Sequence, residues 1–179
     1  MTQLGIVYGQ ALYTLAREED LTDAIRQELV TVRDVFEAQP EYLRLLAAAN
    51  IPRQERCDLV DQAFRGRVHP YVLNFLKILT EKGYAKSYGA CVDAYICQYN
   101  ADNHILPVKA VSAVALTQEQ ITRLEEKISS ITGKAAQIEN KVDPQCLGGI
   151  VLDYDGTQVD GTVANRIEKV RKLLKNTVL

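Results

Sequence analysis

Among the residues able to do chemistry, the carboxylates come closest to a constellation. Asp153, Asp155 and Asp160 fall in one short stretch around Gly156. A calcium loop would need another oxygen donor before the glycine and a bidentate glutamate closing the loop, and both are missing. Gly148-Gly149 lacks the lysine and the spacing of a phosphate loop; a glycine pair before a strand serves to relieve crowding or permit a bulge. The histidines, His69 and His104, each adjoin an expected helix terminus, with neither a nucleophile nor metal-ligand spacing nearby, which suits capping or solvent exposure. Cys57, Cys91, Cys97 and Cys146 are scattered without a C-x-x-C pair, so neither a zinc site nor a redox motif is indicated, and all four are expected as small buried hydrophobes. No catalytic residue, metal ligand or cofactor is therefore expected.

These acids sit in the segment with the densest local signals, LGGIVLDYDGTQVDGTVANRIEKVRKLL over 147–174. The pattern predicts a strand at Ile150-Val151-Leu152, a hairpin turn at Asp155-Gly156, a short second strand, and a helix opening at Asp160-Gly161-Thr162. Val163, Ile167, Val170, Leu173 and Leu174 share one stripe of that helix, and Arg166, Lys169, Arg171, Lys172 and Lys175 make the rest basic.

Ile150 to Thr157 resembles the first motif of haloacid-dehalogenase-like phosphatases, hhhDxDGT. That resemblance implies Asp153 as nucleophile, Asp155 as general acid/base and a magnesium ion on the phosphate. Such an enzyme builds the rest of its site downstream of the motif, and 158–179 is too short for it, so the match reads as chance.

Upstream, helical periodicity dominates. Leu4, Val7, Tyr8, Ala11, Leu12, Leu15 and Ala16 form an apolar stripe in which Ala11 and Ala16 would admit another helix closely. Leu21, Ala24, Ile25, Leu29, Val32 and Phe36 mark a second helix ending near Pro40, and a third, 41–49, stops at Asn50-Ile51-Pro52. The fourth, 53–65, is closed by Gly66, and the fifth runs from Pro70 to a cap at Gly83. Its apolar residues exceed one stripe, so the fifth helix is either central or also feeds a partner groove. Tyr88, Cys91, Val92, Tyr95, Ile96 and Tyr99 give a sixth helix whose tyrosines read as core.

At His104-Ile105-Leu106-Pro107 the pattern changes. A strand is expected over 108–115, Thr117-Gln118-Glu119-Gln120 is a capping box, and Ile121, Leu124, Ile128 and Ile131 line a helix ended by Gly133. A second strand follows over 134–142, with Ile138 and Val142 inward. The fold class is an all-α six-helix bundle over 1–105 followed by a small α+β domain over 106–179.

The segment over 147–174 is similar as a whole to the C-terminal signature of the delta subunit of F-type ATP synthase, the family called the oligomycin-sensitivity-conferring subunit in mitochondria. Val111 to Gln120, Asn74 to Gly83 and Tyr8 to Ala16 resemble further family segments, in family order over nearly the full chain. The resemblance implies a non-catalytic stator subunit. Its N-terminal domain would receive the N-terminal helix of an alpha subunit in a groove between the first and fifth helices, and its C-terminal domain would bind the b subunit of the peripheral stalk. An apolar surface beyond the core's needs is what a helix-in-groove site requires. Tyr8, Ala11, Leu12 and Leu15 with Phe75, Leu76 and Leu79 are the expected contacts, some serving core and contact at once. Asp153 and Tyr154 depart from the family's commoner basic and small residues, which touches hairpin contacts and not the fold.

With 47% apolar and 25% charged residues the chain can bury a real core, and a net charge of −2 offers nucleic acid no overall attraction. It contains no apolar run of membrane-spanning length, and the N-terminus lacks the pattern of a signal or transit sequence. The expected location is the cytoplasmic face of a bacterial plasma membrane, peripheral, as part of the complex. An unrelated helical adaptor would keep the architecture and lose these partners.

Overall fold

The computed structural model describes residues 3–48, 50–144, 146, 148–163, 165 and 167. The chain divides into two compact units, Met1–Tyr99 and Asn100–Leu179. The first holds α1 (Gln3–Glu18), α2 (Thr22–Ala38), α3 (Pro40–Leu46), α4 (Arg53–Phe64), α5 (Pro70–Glu81), a 3-10 turn (Ala85–Ser87) and most of α6 (Tyr88–Asp102). Pro40 and Pro70 occupy first-turn positions, where a missing N–H costs nothing. α3 stops at Leu46, short of the expected 41–49, where the Ala48 N–H bonds Leu45 O in a tighter turn; Ala49 lies outside the described residues.

One apolar core runs through this unit. Ile25, Leu29, Val32 and Phe36 of α2 meet Val72, Phe75, Leu76 and Leu79 of α5 and Tyr88, Cys91, Val92 and Tyr95 of α6. Each such side chain contributes about 1.5–3 kcal/mol by leaving water. The expected tyrosine stripe of α6 is core, and its hydroxyls explain why tyrosine serves there. Tyr88 OH donates to Leu29 O at 2.9 Å and Tyr95 OH to Thr22 O at 2.8 Å, so two carbonyls of the α2 region anchor α6 without an unmet buried hydroxyl. The Tyr88 ring also sits edge-on to Phe36 at 5.1 Å. Burial pushes both phenols well above their ordinary range, keeping them neutral donors.

α1 packs on a different face from the one its hydrophobicity suggests. Its buried residues are Gly5, Gly9, Leu12, Tyr13 and Ala16, and the expected Val7, Ala11 and Leu15 are exposed. The glycines explain the rotation. A Cβ on Gly5 would lie 2.8 Å from Ala90 Cβ, and one on Gly9 would lie 2.8 Å from Ala94 Cβ and against the Cys91 carbonyl. α1 and α6 are therefore in near backbone contact, an approach that no larger residue allows.

The second unit is a four-stranded sheet of order β2-β1-β3-β4, with α7 (Gln118–Thr132) between its parallel strands β1 (Ile105–Ser112) and β2 (Ala135–Val142). β1 begins and ends earlier than the expected 108–115. Ile105 already pairs with Ala135, while beyond Ser112 the Leu116 N–H turns to Asn140 Oδ1. Pro107 is tolerated because β3 (Ile150–Tyr154) pairs with β1 only from Lys109 onward. Leu106, Val108 and Ile128 form the small core, with Ala136, Ile138, Leu152 and Tyr154 packed against it. Val142 and Ile131, expected inward, are 45% and 73% exposed, each at or next to the last residue of its element. The capping box forms as expected: the Gln120 N–H donates to Thr117 Oγ1 at 3.3 Å and the Thr117 N–H to Gln120 Oε1 at 2.9 Å. Gly133, at φ 71°, caps the other end.

β4 (Thr157–Asp160) completes a two-residue hairpin in which Asp155 and Gly156 both have positive φ, 49° and 74°. Gly149, at φ 94°, has a steric reason to be glycine: a Cβ there would sit 2.6 Å from Gly161 O and 2.7 Å from Thr162 Cα. The two glycine-bearing parts of the signature thus fit against one another. Asp160 Oδ1 accepts the Thr162 N–H at 2.8 Å, and Thr162 Oγ1 accepts that of Asn165 at 3.2 Å, which starts the final helix. Apart from Val163, Asn165 and Ile167, the expected basic helix lies outside the described residues. Among the described residues no helix is long and apolar enough to cross a membrane.

Candidate functional site

Because Gly5 and Gly9 turn one face of α1 onto α6, Val7 and Leu15 are left exposed on the other side. Val7 is 61% exposed and Leu15 36%, with Ala11 exposed between them one helical turn from each. Ile6, 36% exposed, flanks this ridge. Tyr8 is half-buried, with its ring 6.2 Å from that of Tyr84, just after α5. Ala11 is the low point between two larger side chains, the shape that accepts an anchor residue from a second helix.

The seven expected contact residues separate into two groups. Ala11 and Leu15 face outward and Tyr8 is partly accessible. Leu12, Phe75, Leu76 and Leu79 belong to the apolar core at 6%, 6%, 3% and 1% exposure, so in the isolated chain they support the surface from beneath. α5 itself shows Ile78, 44% exposed, and half-buried Leu73, the two residues lying off its main stripe. Reading the helix by hydrophobicity missed Val7 as a surface residue because glycines carry no hydrophobic signal; the G-x-x-x-G spacing of Gly5 and Gly9 was the available clue.

The carboxylates of the hairpin have structural settings instead of catalytic ones. Asp153 is exposed on β3, with Lys109 opposite it on β1, and Glu139 flanks Lys109 on the other side. Such a row of alternating charge stabilises an exposed sheet face by about 0.2–1 kcal/mol per pair. A phosphatase nucleophile would need to emerge from a buried strand, and Asp155 is occupied in the turn. His69 caps α5, its Nδ1 accepting the Tyr71 N–H at 3.3 Å, and His104 lies exposed in a left-handed turn at φ 54°. Of the cysteines only Cys91 is buried; Cys97 is exposed and the other two intermediate, so the expectation of four buried thiols fails. Cys97 falls on the outer side of α6, away from the stripe that meets α2. Among the described residues no group of His, Cys, Asp or Glu could hold a metal ion.

A family model described as ATP synthase delta (OSCP) subunit matches residues 6–174. The chain belongs to that family. Among relatives of the ATP synthase delta (OSCP) family, the ATP synthase subunit delta of Alkaliphilus oremlandii is 30% identical over 172 residues, covering 96% of both chains. That of Lactobacillus delbrueckii subsp. bulgaricus is 32% identical over 171 residues, 93% of each. In fold, the chain matches a subunit of the cryo-EM structure of the Toxoplasma gondii mitochondrial ATP synthase hexamer with a TM-score of 0.72, covering 97% of this chain and 98% of that one at 16% identity. The signature glycines, hairpin and Asp-Gly-Thr helix start of this delta-family chain are thus explained by local packing. Neither the phosphatase reading nor an adaptor unrelated to ATP synthase survives the full-length family match.

Proposed function

We propose that the ridge on α1 receives the N-terminal helix of an ATP synthase alpha subunit while the second unit holds the b subunit of the peripheral stalk. The family supplies the frame: the chain is a non-catalytic delta subunit of F-type ATP synthase, a stator component of a membrane-associated complex. Within that frame α1–α6 act as one six-helix bundle, and the subunit sits at the cytoplasmic face of a bacterial membrane. The observation that carries the alpha-subunit contact is the exposed ridge Val7, Ala11, Leu15 on a helix already in near backbone contact with α6. Exposed apolar residues at helical spacing, rimmed by Gln10 and Thr14, suit an amphipathic helix laid alongside. Ile78 and Leu73 are the residues of α5 able to extend this contact, with Phe75, Leu76 and Leu79 behind them.

Ala11→Gln tests the reading. A bulky amide at the low point of the ridge blocks the anchor and buries a polar group, weakening an alpha-subunit N-terminal peptide by about 1–3 kcal/mol, roughly ten- to hundredfold. Because Ala11 is exposed, thermal unfolding should be unchanged. Calorimetric titration showing unaltered affinity would place the peptide elsewhere on the chain.

A further inference from the structure

We propose that the cavity at the start of α4 binds a phosphate-class oxyanion. It measures about 460 Å3 and is lined by Pro52, Arg53, Arg56, Glu81, Lys82 and Gly83, so three cations face one carboxylate. α4 opens into it with Pro52 as N-cap, which gives its first-turn N–H groups no side-chain acceptor. Those N–H groups and the positive end of a twelve-residue helix favour an anion.

The second observation is Arg56. It is 6% exposed, one of its N–H groups donates to Leu46 O at 3.1 Å, and its buried Nε has no partner. With no carboxylate in ion-pair contact among the described residues, this guanidinium has an N–H to offer an anion, because a buried N–H left unmet is costly. A phosphate oxygen in the cavity would draw the guanidinium toward it and bond it by a charge-assisted contact, with Arg53 and Lys82 closing from the exposed side. Both free phosphate and the phosphate tail of a nucleotide have this chemistry. The proposal rests on none of the residues of the α1 ridge and does not depend on the alpha-subunit reading.

The test is amide NMR of the full chain titrated with inorganic phosphate, and separately with ADP, against chloride at equal ionic strength. Saturable shifts centred on 53–56 and 82–83 are expected, with a Kd of about 1 mM. Arg53→Gln and Lys82→Gln, both at exposed positions, should each weaken binding about three- to tenfold, and Glu81→Gln should tighten it. Arg56→Gln should abolish the shifts; since that residue also bonds α3, its thermal unfolding is read alongside, and the exposed variants decide the matter if it fails to fold. ADP binding no tighter than phosphate assigns the site to the free ion, while tighter ADP binding with shifts extending to Ala47 and Ile51 assigns it to a nucleotide. Shifts that never saturate, that chloride reproduces, or that Arg53→Gln and Lys82→Gln leave unchanged overturn the proposal.

Discussion

Replacing Gly9 by alanine isolates the contact that orients α1. Alanine favours the helix by about 1 kcal/mol over glycine, so with no other effect the variant would be more stable. The new Cβ would lie 2.8 Å from Ala94 Cβ and still closer to the Cys91 carbonyl. Carbon atoms rest about 3.5–4.0 Å apart, so α1 must retreat by about 1 Å, and because the obstacle includes backbone no side-chain rotation relieves it. Retreat loosens Leu12, Tyr13 and Ala16 together, and overpacking of this kind costs about 1–3 kcal/mol. Subtracting the helix gain leaves a net loss of about 0–2 kcal/mol, which in a helical unit of this size lowers Tm by roughly 4–8 °C per kcal/mol. Gly89 in α6 is the internal control, because a Cβ there meets nothing within 4 Å. Gly89→Ala should therefore hold or raise stability by up to about 1 kcal/mol. Urea unfolding followed by circular dichroism measures both. If Gly9→Ala gained the full helix increment of about 1 kcal/mol over the wild type, the close approach of α1 to α6 would not be what sets the helix face.

Asp153→Asn should change stability by no more than about 0.5 kcal/mol, since its setting is an exposed cross-strand position, and should leave phosphate-monoester hydrolysis at background; turnover abolished by the substitution would restore the phosphatase reading. Cys97 should react first with a thiol reagent at neutral pH and Cys91 only on unfolding, because burial pushes the Cys91 thiol up to about 11; equal rates would contradict the packing of α6. Limited proteolysis should cut between the end of α6 and the start of β1, and a fragment of residues 1–105 should remain helical by circular dichroism, whereas an unfolded fragment would show that the two units depend on each other.

Elements with strong local chemistry were legible in the sequence. The Thr117 capping box, the Asp155-Gly156 turn and the proline-led start of α5 depend on residues a few positions apart, and each is where the pattern put it. What could not be read was decided between distant residues. Hydrophobicity alone points α1 inward by the wrong face because Gly5 and Gly9 act through their lack of bulk against α6. β1 starts three residues before its alternating pattern because its start is set by pairing with β2, which begins at Ala135. For the candidate surface, the sequence could gather Ala11, Leu15, Phe75, Leu76 and Leu79 as apolar residues at helical spacing; separating ridge from core required knowing which side of each helix its neighbours cover.

The same glycines that hid the face of α1 bear on what a stator contact demands. A subunit under repeated torque needs slow dissociation, and affinity is lost whenever the receiving surface must first be ordered. A helix attached by one apolar stripe could rock about its axis and present its outer residues in varying directions. Near backbone contact at Gly5 and Gly9, together with Leu12, Tyr13 and Ala16 in the core, restrains that rotation. Val7, Ala11 and Leu15 are thereby held at a fixed angle before any partner arrives. The apolar exposure of α1 is tolerated because it is narrow and rigid, and on the proposed alpha-subunit contact loosening the α1–α6 packing should raise the peptide's dissociation rate even though no residue of the ridge has changed.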